Sequence, residues 1–206
     1  MADIAQTIRD YLTRRDPKLG RAIQVLPHPA ASRQEDIYLA LIRAIVSQQL
    51  SIKAAATILD RVLALYPDRY PQPELLAATP VATLRAAGLS NQKASYVHAI
   101  AEFTTTQGLT AAQFDGIDDE AVIQHLTQIK GVGRWTVEML LMFSLGRPDV
   151  FSPADVGLQN AMKDIYALPS GLKPKEIQAR CATLAERWSP HRTAASQYLW
   201  AHKATL

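Results

Sequence analysis

The sequence predicts an all-α fold, and three observations carry that prediction. Apolar residues recur at helical spacing along most of the chain, prolines stand at the joints, and no segment alternates apolar and polar residues as a half-buried strand would. With 206 residues, 48% of them hydrophobic, the chain can bury a sizeable core as one domain or as two closely packed lobes. No fixed-period repeat stands out.

Helical patterns cover residues 3–13, 17–25, 33–49 and 51–66, then 73–78, 81–87 and 91–107. Pro67, Pro71, Pro73 and Pro80 mark breaks among them. Segment 33–49 is amphipathic through Ile37, Leu41, Ile45 and Val46, and it runs into Ser47, Gln48, Gln49 and Leu50 before Ser51, a suitable cap for the next helix. Further on, Gly88 ends one helix and Ser90 caps another. Gln92 and Lys93 then fall in a first turn whose outward N–H groups suit a phosphate. A simple helix boundary explains the same residues.

Residues 117–129 combine an acidic first turn with Val122, Ile123, Leu126 and Ile129 on one helical face. Gly131 and Gly133 stop that helix, and 134–145 resumes as an almost wholly apolar one, broken by Glu138. The short turn, flanked by Lys130 and Arg134, puts unpaired N–H groups and a positive dipole end together, which is an anion site. For a lone glycine pair, a plain corner between helices is the commoner explanation.

After Gly146, Arg147 and Pro148 break the chain, Ser152 as N-cap and Pro153 at the first helical position place Asp155 in the first turn of a helix continuing to residue 166. The dipole favours negative charge there, which suits a general base or an electrostatic stabiliser; a plain dipole partner is the simpler role. Helical patterns at 175–188 and 191–203 close the chain, with Pro169, Pro174 and Pro190 at their joints.

A net charge of +3 is compatible with DNA and with many other partners. Cys181 is the only cysteine, so a disulfide within the chain and a cysteine-ligated iron–sulfur cluster are both excluded. The five histidines show no zinc-ligand spacing. The N-terminal stretch has no apolar run of the signal-peptide kind, so neither secretion nor a membrane anchor is expected.

The order and spacing of these motifs resemble the helix-hairpin-helix (HhH-GPD) DNA glycosylase superfamily. Within it, GVGRWT followed by DVFSPAD is similar to the DNA-3-methyladenine glycosylase II type. IVSQQLSIKAA, LRAAGLSNQKASYVHAIA and RWSPHRTAASQYLW extend the likeness over most of residues 18–206. The resemblance implies a two-lobed helical fold with no extra N-terminal β domain. One lobe would span about 37–147, with the hairpin at 126–134, and the other 1–36 plus 148–206. It implies a monofunctional enzyme that flips alkylated purines out of double-stranded DNA and hydrolyses the N-glycosidic bond, acting as a monomer without a membrane. The setting would be cytoplasm and nucleoid in a bacterium, or the nucleus in a eukaryote.

Residue by residue, the resemblance makes Asp155 catalytic and puts Trp135, Trp200 and Met139 around the base. DNA would be held by Lys130, Gly131, Gly133 and Arg134, by Ser90 and Lys93, and by Gln48, Gln49 and Leu50 in the minor groove. By the resemblance, an apolar wedge can stand where this chain has Gln49, with Leu50 beside it. Strand-cutting relatives carry a lysine two residues past the second hairpin glycine, where this chain has Trp135. No cofactor is required; a monovalent cation on the carbonyls of Thr127, Ile129 and Gly131 is an expected structural companion. Met139 and Gly157, standing where larger residues occur, would open the pocket to several alkylated bases. The rival readings are a non-catalytic hairpin DNA-binding protein and a glycosylase for oxidised or mispaired bases.

Overall fold

A computed structural model describes residues 2–28 and 36–204. Among the described residues there are helices and turns and no strand, as the periodicity predicts. None of the helices is long and apolar enough to cross a membrane. The chain divides into two compact units, Met1–Ser32 with Gly146–Leu206, and Arg33–Leu145.

The first unit holds α1 (Ala2–Arg15), α2 (Pro17–Ile23), α10 (Val156–Tyr166), α11 (Pro174–Ala185) and α12 (Arg192–Ala204). Leu12, Leu19, Leu158, Met162, Trp188 and Leu199 form its core, with Cys181 buried among them as a small hydrophobe. Asp16 is 1% exposed yet fully engaged. It caps α2 through Lys18 N and Leu19 N, and it accepts from Tyr166 Oη at 2.8 Å and from Trp188 Nε1 at 3.2 Å. Those donors offset the cost of burying a carboxylate and tie three segments of the unit to one point. Trp188 and Tyr198 are core residues here.

The second unit holds α3 (Ile37–Ser47), α4 (Ile52–Leu63), α5 (Pro73–Ala78), α6 (Val81–Ala86), α7 (Asn91–Gln107), α8 (Asp119–Leu126) and α9 (Arg134–Phe143). α3 buries Ile37, Leu41, Ile42, Ile45 and Val46, and it packs on α4, α7 and α9. Ser51 caps α4 by accepting from Ala54 N, and Ser90 caps α7 by accepting from Lys93 N.

Several boundaries differ from the sequence expectation. Residues 33–35 lie outside the described residues. α3 stops at Ser47, because Gln48 leaves helical geometry and Gln49 is left-handed at φ 57°. α4 ends at Leu63, and the last turn expected in 175–188 is a separate 3-10 turn over Glu186–Trp188. The largest correction concerns Ser152, which does not cap the following helix and is fully buried. Asp155 N donates to Ser152 O at 3.1 Å, closing a turn, and this delays the helix until Val156. Asp155 is therefore the N-cap itself. Aspartate caps as well as serine does, and it stands where the turn releases the chain.

Candidate functional site

In the first unit, Asp155 accepts from Leu158 N at 2.7 Å and from Trp200 Nε1 at 3.0 Å, both on Oδ1. The backbone bond caps α10 and the indole bond comes from α12. Together they set the carboxylate's direction at a helix N-terminus, where negative charge is favoured. Gly157 lies beneath this pair. A Cβ added there would sit 3.1 Å from Asp155 Oδ1 and 3.2 Å from the Trp200 ring. The room expected at Gly157 is thus taken up by the indole, because the missing side chain lets Trp200 settle against α10.

The loop leading to Asp155 is fastened to the start of α12. Asp149 accepts from Arg192 Nε at 2.8 Å, from Arg192 Nη2 at 3.0 Å and from Ser189 Oγ at 2.8 Å. Burial alone would raise the Asp149 carboxyl, but the hydrogen bonds from Arg192 and Ser189 outweigh it and hold the group below its ordinary range. Thr193 Oγ1 donates to Arg147 O at 2.6 Å, and Val150 N donates to that hydroxyl at 3.0 Å. One end of α12 therefore holds the loop, and the indole further along it holds the carboxylate.

In the second unit, the two hairpin glycines have different reasons to be glycine. Gly131 has φ +92°, and a Cβ on it would stand 2.2 Å from the ring of Tyr96. Backbone conformation and the aromatic ring on α7 both demand glycine there. Gly133 is the N-cap of α9 with φ −96°, and a Cβ on it would meet nothing within 4 Å. Neither the backbone conformation nor a neighbour among the described residues requires a glycine at that position. Gly133 offers no side-chain cap to the first N–H groups of α9, which suits an anion.

Arg134 does not project alone from this turn. Its guanidinium donates to both carboxylate oxygens of Glu120, at 2.9 and 2.7 Å, and Nε donates to Glu138 at 3.0 Å. The Glu120 hydrogen bond raises the arginine and lowers the glutamate from their ordinary values. The start of α8 is thereby stapled to the start of α9. Lys130 Nζ donates to Ser95 Oγ at 3.2 Å.

Lys93, expected at a phosphate, has its ammonium on two backbone carbonyls, Val46 O at 2.8 Å and Gln48 O at 2.7 Å. Burial there pushes it below the ordinary lysine range. Gln48 Nε2 lies 3.5 Å from Gly131 O, a long contact between corner and hairpin. Gln49 and Leu50 are exposed, and so is Ile52, at 91%. Ser90 spends its hydroxyl on the cap.

Trp135 is 45% exposed in the first turn of α9, so it is not core filling. Met139, one turn on, lines a cavity of about 260 Å³ with Ala40, Arg43, Ser47, Thr136 and Phe143. In the hairpin, Ile129 O accepts from Val132 N at 3.0 Å, and Thr127 closes α8. Among the described residues no cluster of His, Cys, Asp and Glu could hold a metal.

Asp155 and Trp200 thus meet in one unit, while the hairpin, the corner, Trp135 and Met139 share the other. The sequence reading missed Tyr96, Glu120 and Glu138. Each acts through a contact that spacing cannot show, except Arg134 to Glu138, which are four apart on one helix.

Comparison with known proteins narrows the reading. Residues 42–187 match the family model described as HhH-GPD superfamily base excision DNA repair protein. DNA-3-methyladenine glycosylase 1 of Schizosaccharomyces pombe is 38% identical over 179 residues, covering 84% of this chain and 75% of the relative. The structure of S. pombe 3-methyladenine DNA glycosylase (Mag1) in complex with abasic DNA superposes at a TM-score of 0.83 with 34% identity, covering 94% of this chain and 95% of that one. A DNA-3-methyladenine glycosidase from Bacillus halodurans gives a TM-score of 0.83 and 35% identity, over 94% of this chain and 88% of the other.

Proposed function

We propose a reaction from one premise: the chain belongs to the HhH-GPD superfamily of base excision DNA repair proteins. It is a DNA glycosylase of the 3-methyladenine type, hydrolysing the N-glycosidic bond of alkylated purines in double-stranded DNA and leaving an abasic site. The observation that carries the assignment of chemistry is the Asp155 carboxylate, fixed at the start of α10 by Leu158 N and Trp200 Nε1.

An alkylated purine such as 3-methyladenine carries positive charge and is already a good leaving group. Holding it out of the helix calls for aromatic faces, and a cation over an indole gains about 0.5–2 kcal/mol. Trp200, hydrogen-bonded to Asp155, supplies one such face, and in the other unit Trp135 supplies another, with Met139 one turn on along α9. As the bond to the base breaks, positive charge grows on the sugar. The Asp155 carboxylate stabilises that charge and orients or deprotonates the attacking water, the role a preorganised anion fills without moving. Because Trp135 stands where strand-cutting relatives carry lysine, no Schiff base forms and the strand stays intact.

Duplex DNA is held at the hairpin. The open approach at Gly133 and the N–H groups of α9 take a phosphate, and Lys130 adds charge nearby. Gln48, Gln49 and Leu50 fill the space left by the extruded nucleotide. Thr127, Ile129 and Gly131 would hold a monovalent cation through carbonyl oxygens. A neutral all-oxygen donor set suits a hard ion of low charge, which when bound would add a positive charge beside the phosphate. One copy supplies every group named, so a monomer suffices. Its place of work is genomic DNA, in the cytoplasm of a bacterium or the nucleus of a eukaryote.

Duplex DNA treated with a methylating agent, incubated with the chain and analysed for free bases by chromatography, tests the reading. Release of 3-methyladenine is expected, with strands that break only on later alkali treatment. Release of no base would leave a non-catalytic DNA-binding protein, and release of oxidised bases alone would point to the other glycosylase class.

A further inference from the structure

We propose that Lys93 is a positioning residue that holds the Gln48–Leu50 corner in register with the hairpin, and is not itself a phosphate contact. What the corner does to DNA rests on the glycosylase reading above; where Lys93 spends its ammonium does not.

The corner needs a support. α3 ends at Ser47, and in its last turn Ile45 O accepts from Gln48 N and Ser47 O from Leu50 N, while Val46 O accepts from Lys93 Nζ. Two residues later Gln49 takes a left-handed conformation, φ 57°, which a residue with a side chain adopts only when its neighbours fix it. Lys93 supplies the fixing. Its Nζ donates to Val46 O at 2.8 Å and to Gln48 O at 2.7 Å, gripping the chain just before the left-handed residue. A cation at the negative end of α3 is also favoured by the helix dipole.

The same stretch of α7 carries the hairpin. Tyr96, three residues on from Lys93 and so on the same helical face, lays its ring against Gly131 so closely that no Cβ would fit. Gln92 Nε2 donates to the Tyr96 hydroxyl at 2.6 Å, and Ser95 accepts from Lys130. Ser90 Oγ caps the helix through the backbone N–H of Lys93 itself, fixing where its side chain starts. One turn of α7 thus stands behind both the corner and the hairpin, and it sets their spacing. An ammonium has three donors, and two are committed to the corner, so a phosphate could draw at most one hydrogen bond from it.

Two variants beside wild type separate the roles: Lys93→Met, Lys93→Arg and the unaltered chain are each measured on lesion-free duplex over a range of salt and on methylated duplex in single turnover. With Lys93→Met, the slope of log binding constant against log salt is expected to stay that of wild type, while excision falls about a hundredfold, as misplacement near 1 Å does. Lys93→Arg, which can still donate to both carbonyls, should recover most of that loss. A slope smaller by about one, with excision reduced only as far as binding is, would mean a phosphate contact and overturn the proposal.

Amine labelling of the wild-type protein adds a readout that no unfolding variant can spoil. Lys93 is expected to react slowly both with and without DNA; fast reaction that DNA suppresses would overturn the proposal. If wild type released no base at all, the glycosylase reading would fall, and the salt slope and the labelling would still decide what Lys93 does.

Discussion

The Trp200 indole Nε1 donates to Asp155 Oδ1 at 3.0 Å, so the side chain expected as a wall of the base pocket also sets the direction of the carboxylate. Trp200→Phe keeps an aromatic face and removes that donor. A hydrogen bond to a charged group contributes about 1.5–3 kcal/mol, so single-turnover excision should fall by about tenfold or more, with little change in Tm. An unchanged rate would show that the indole hydrogen bond is not needed to fix Asp155.

The two hairpin glycines should respond differently to alanine. Gly131→Ala puts a Cβ 2.2 Å from the Tyr96 ring at a backbone φ of +92°, and a loss of about 3 kcal/mol in urea unfolding is expected. Gly133→Ala meets nothing within 4 Å in the free protein. Its stability should stay within about 0.5 kcal/mol of wild type while duplex affinity drops, because the methyl group blocks only the approaching phosphate.

Glu120 accepts from both terminal guanidinium nitrogens of Arg134, which are then committed to a carboxylate of the same unit. Both side chains are about half exposed, so their pairing adds little stability, and Glu120→Gln should shift Tm only slightly. The informative readout is DNA binding at low salt. Freed from the carboxylate, Arg134 should raise duplex affinity and steepen the salt slope by about one. Unchanged binding would mean that Arg134 serves the hairpin's architecture alone.

Asp149 links acid stability to the site. Its carboxyl lies below the ordinary aspartate value in the folded chain, so the stabilisation is present above that ordinary value and is lost as pH falls through the lower folded value. Wild type should therefore lose stability between neutral pH and pH values below about 4, and Asp149→Asn should lose less over the same range. Urea midpoints at the two ends of the range check this. Equal losses in both proteins would remove Asp149 from the explanation.

Much of this molecule is legible in its sequence, because local chemistry fixes much of it. Ser51 and Ser90 both cap the helices expected of them, and α7 runs over Asn91–Gln107, as its spacing predicts. The hairpin and the carboxylate are legible through the order and spacing of their motifs, since a glycine pair or a first-turn aspartate alone has commoner explanations. The N-cap was misplaced because Ser152 and Asp155 are equally good caps, and only the turn between them decides. Tyr96 against Gly131, and Lys93 beneath Val46 and Gln48, join residues 35 or more positions apart, which helical periodicity does not register. Gly157 likewise reads as empty space until the Trp200 ring is seen beside it.

Asp155→Asn is the most direct test of the central claim, measured as single-turnover base release from methylated duplex beside binding to the same DNA. The account predicts binding near that of wild type and a release rate lower by about a thousandfold, the scale of a lost general base. Release at the wild-type rate by the asparagine variant would contradict it.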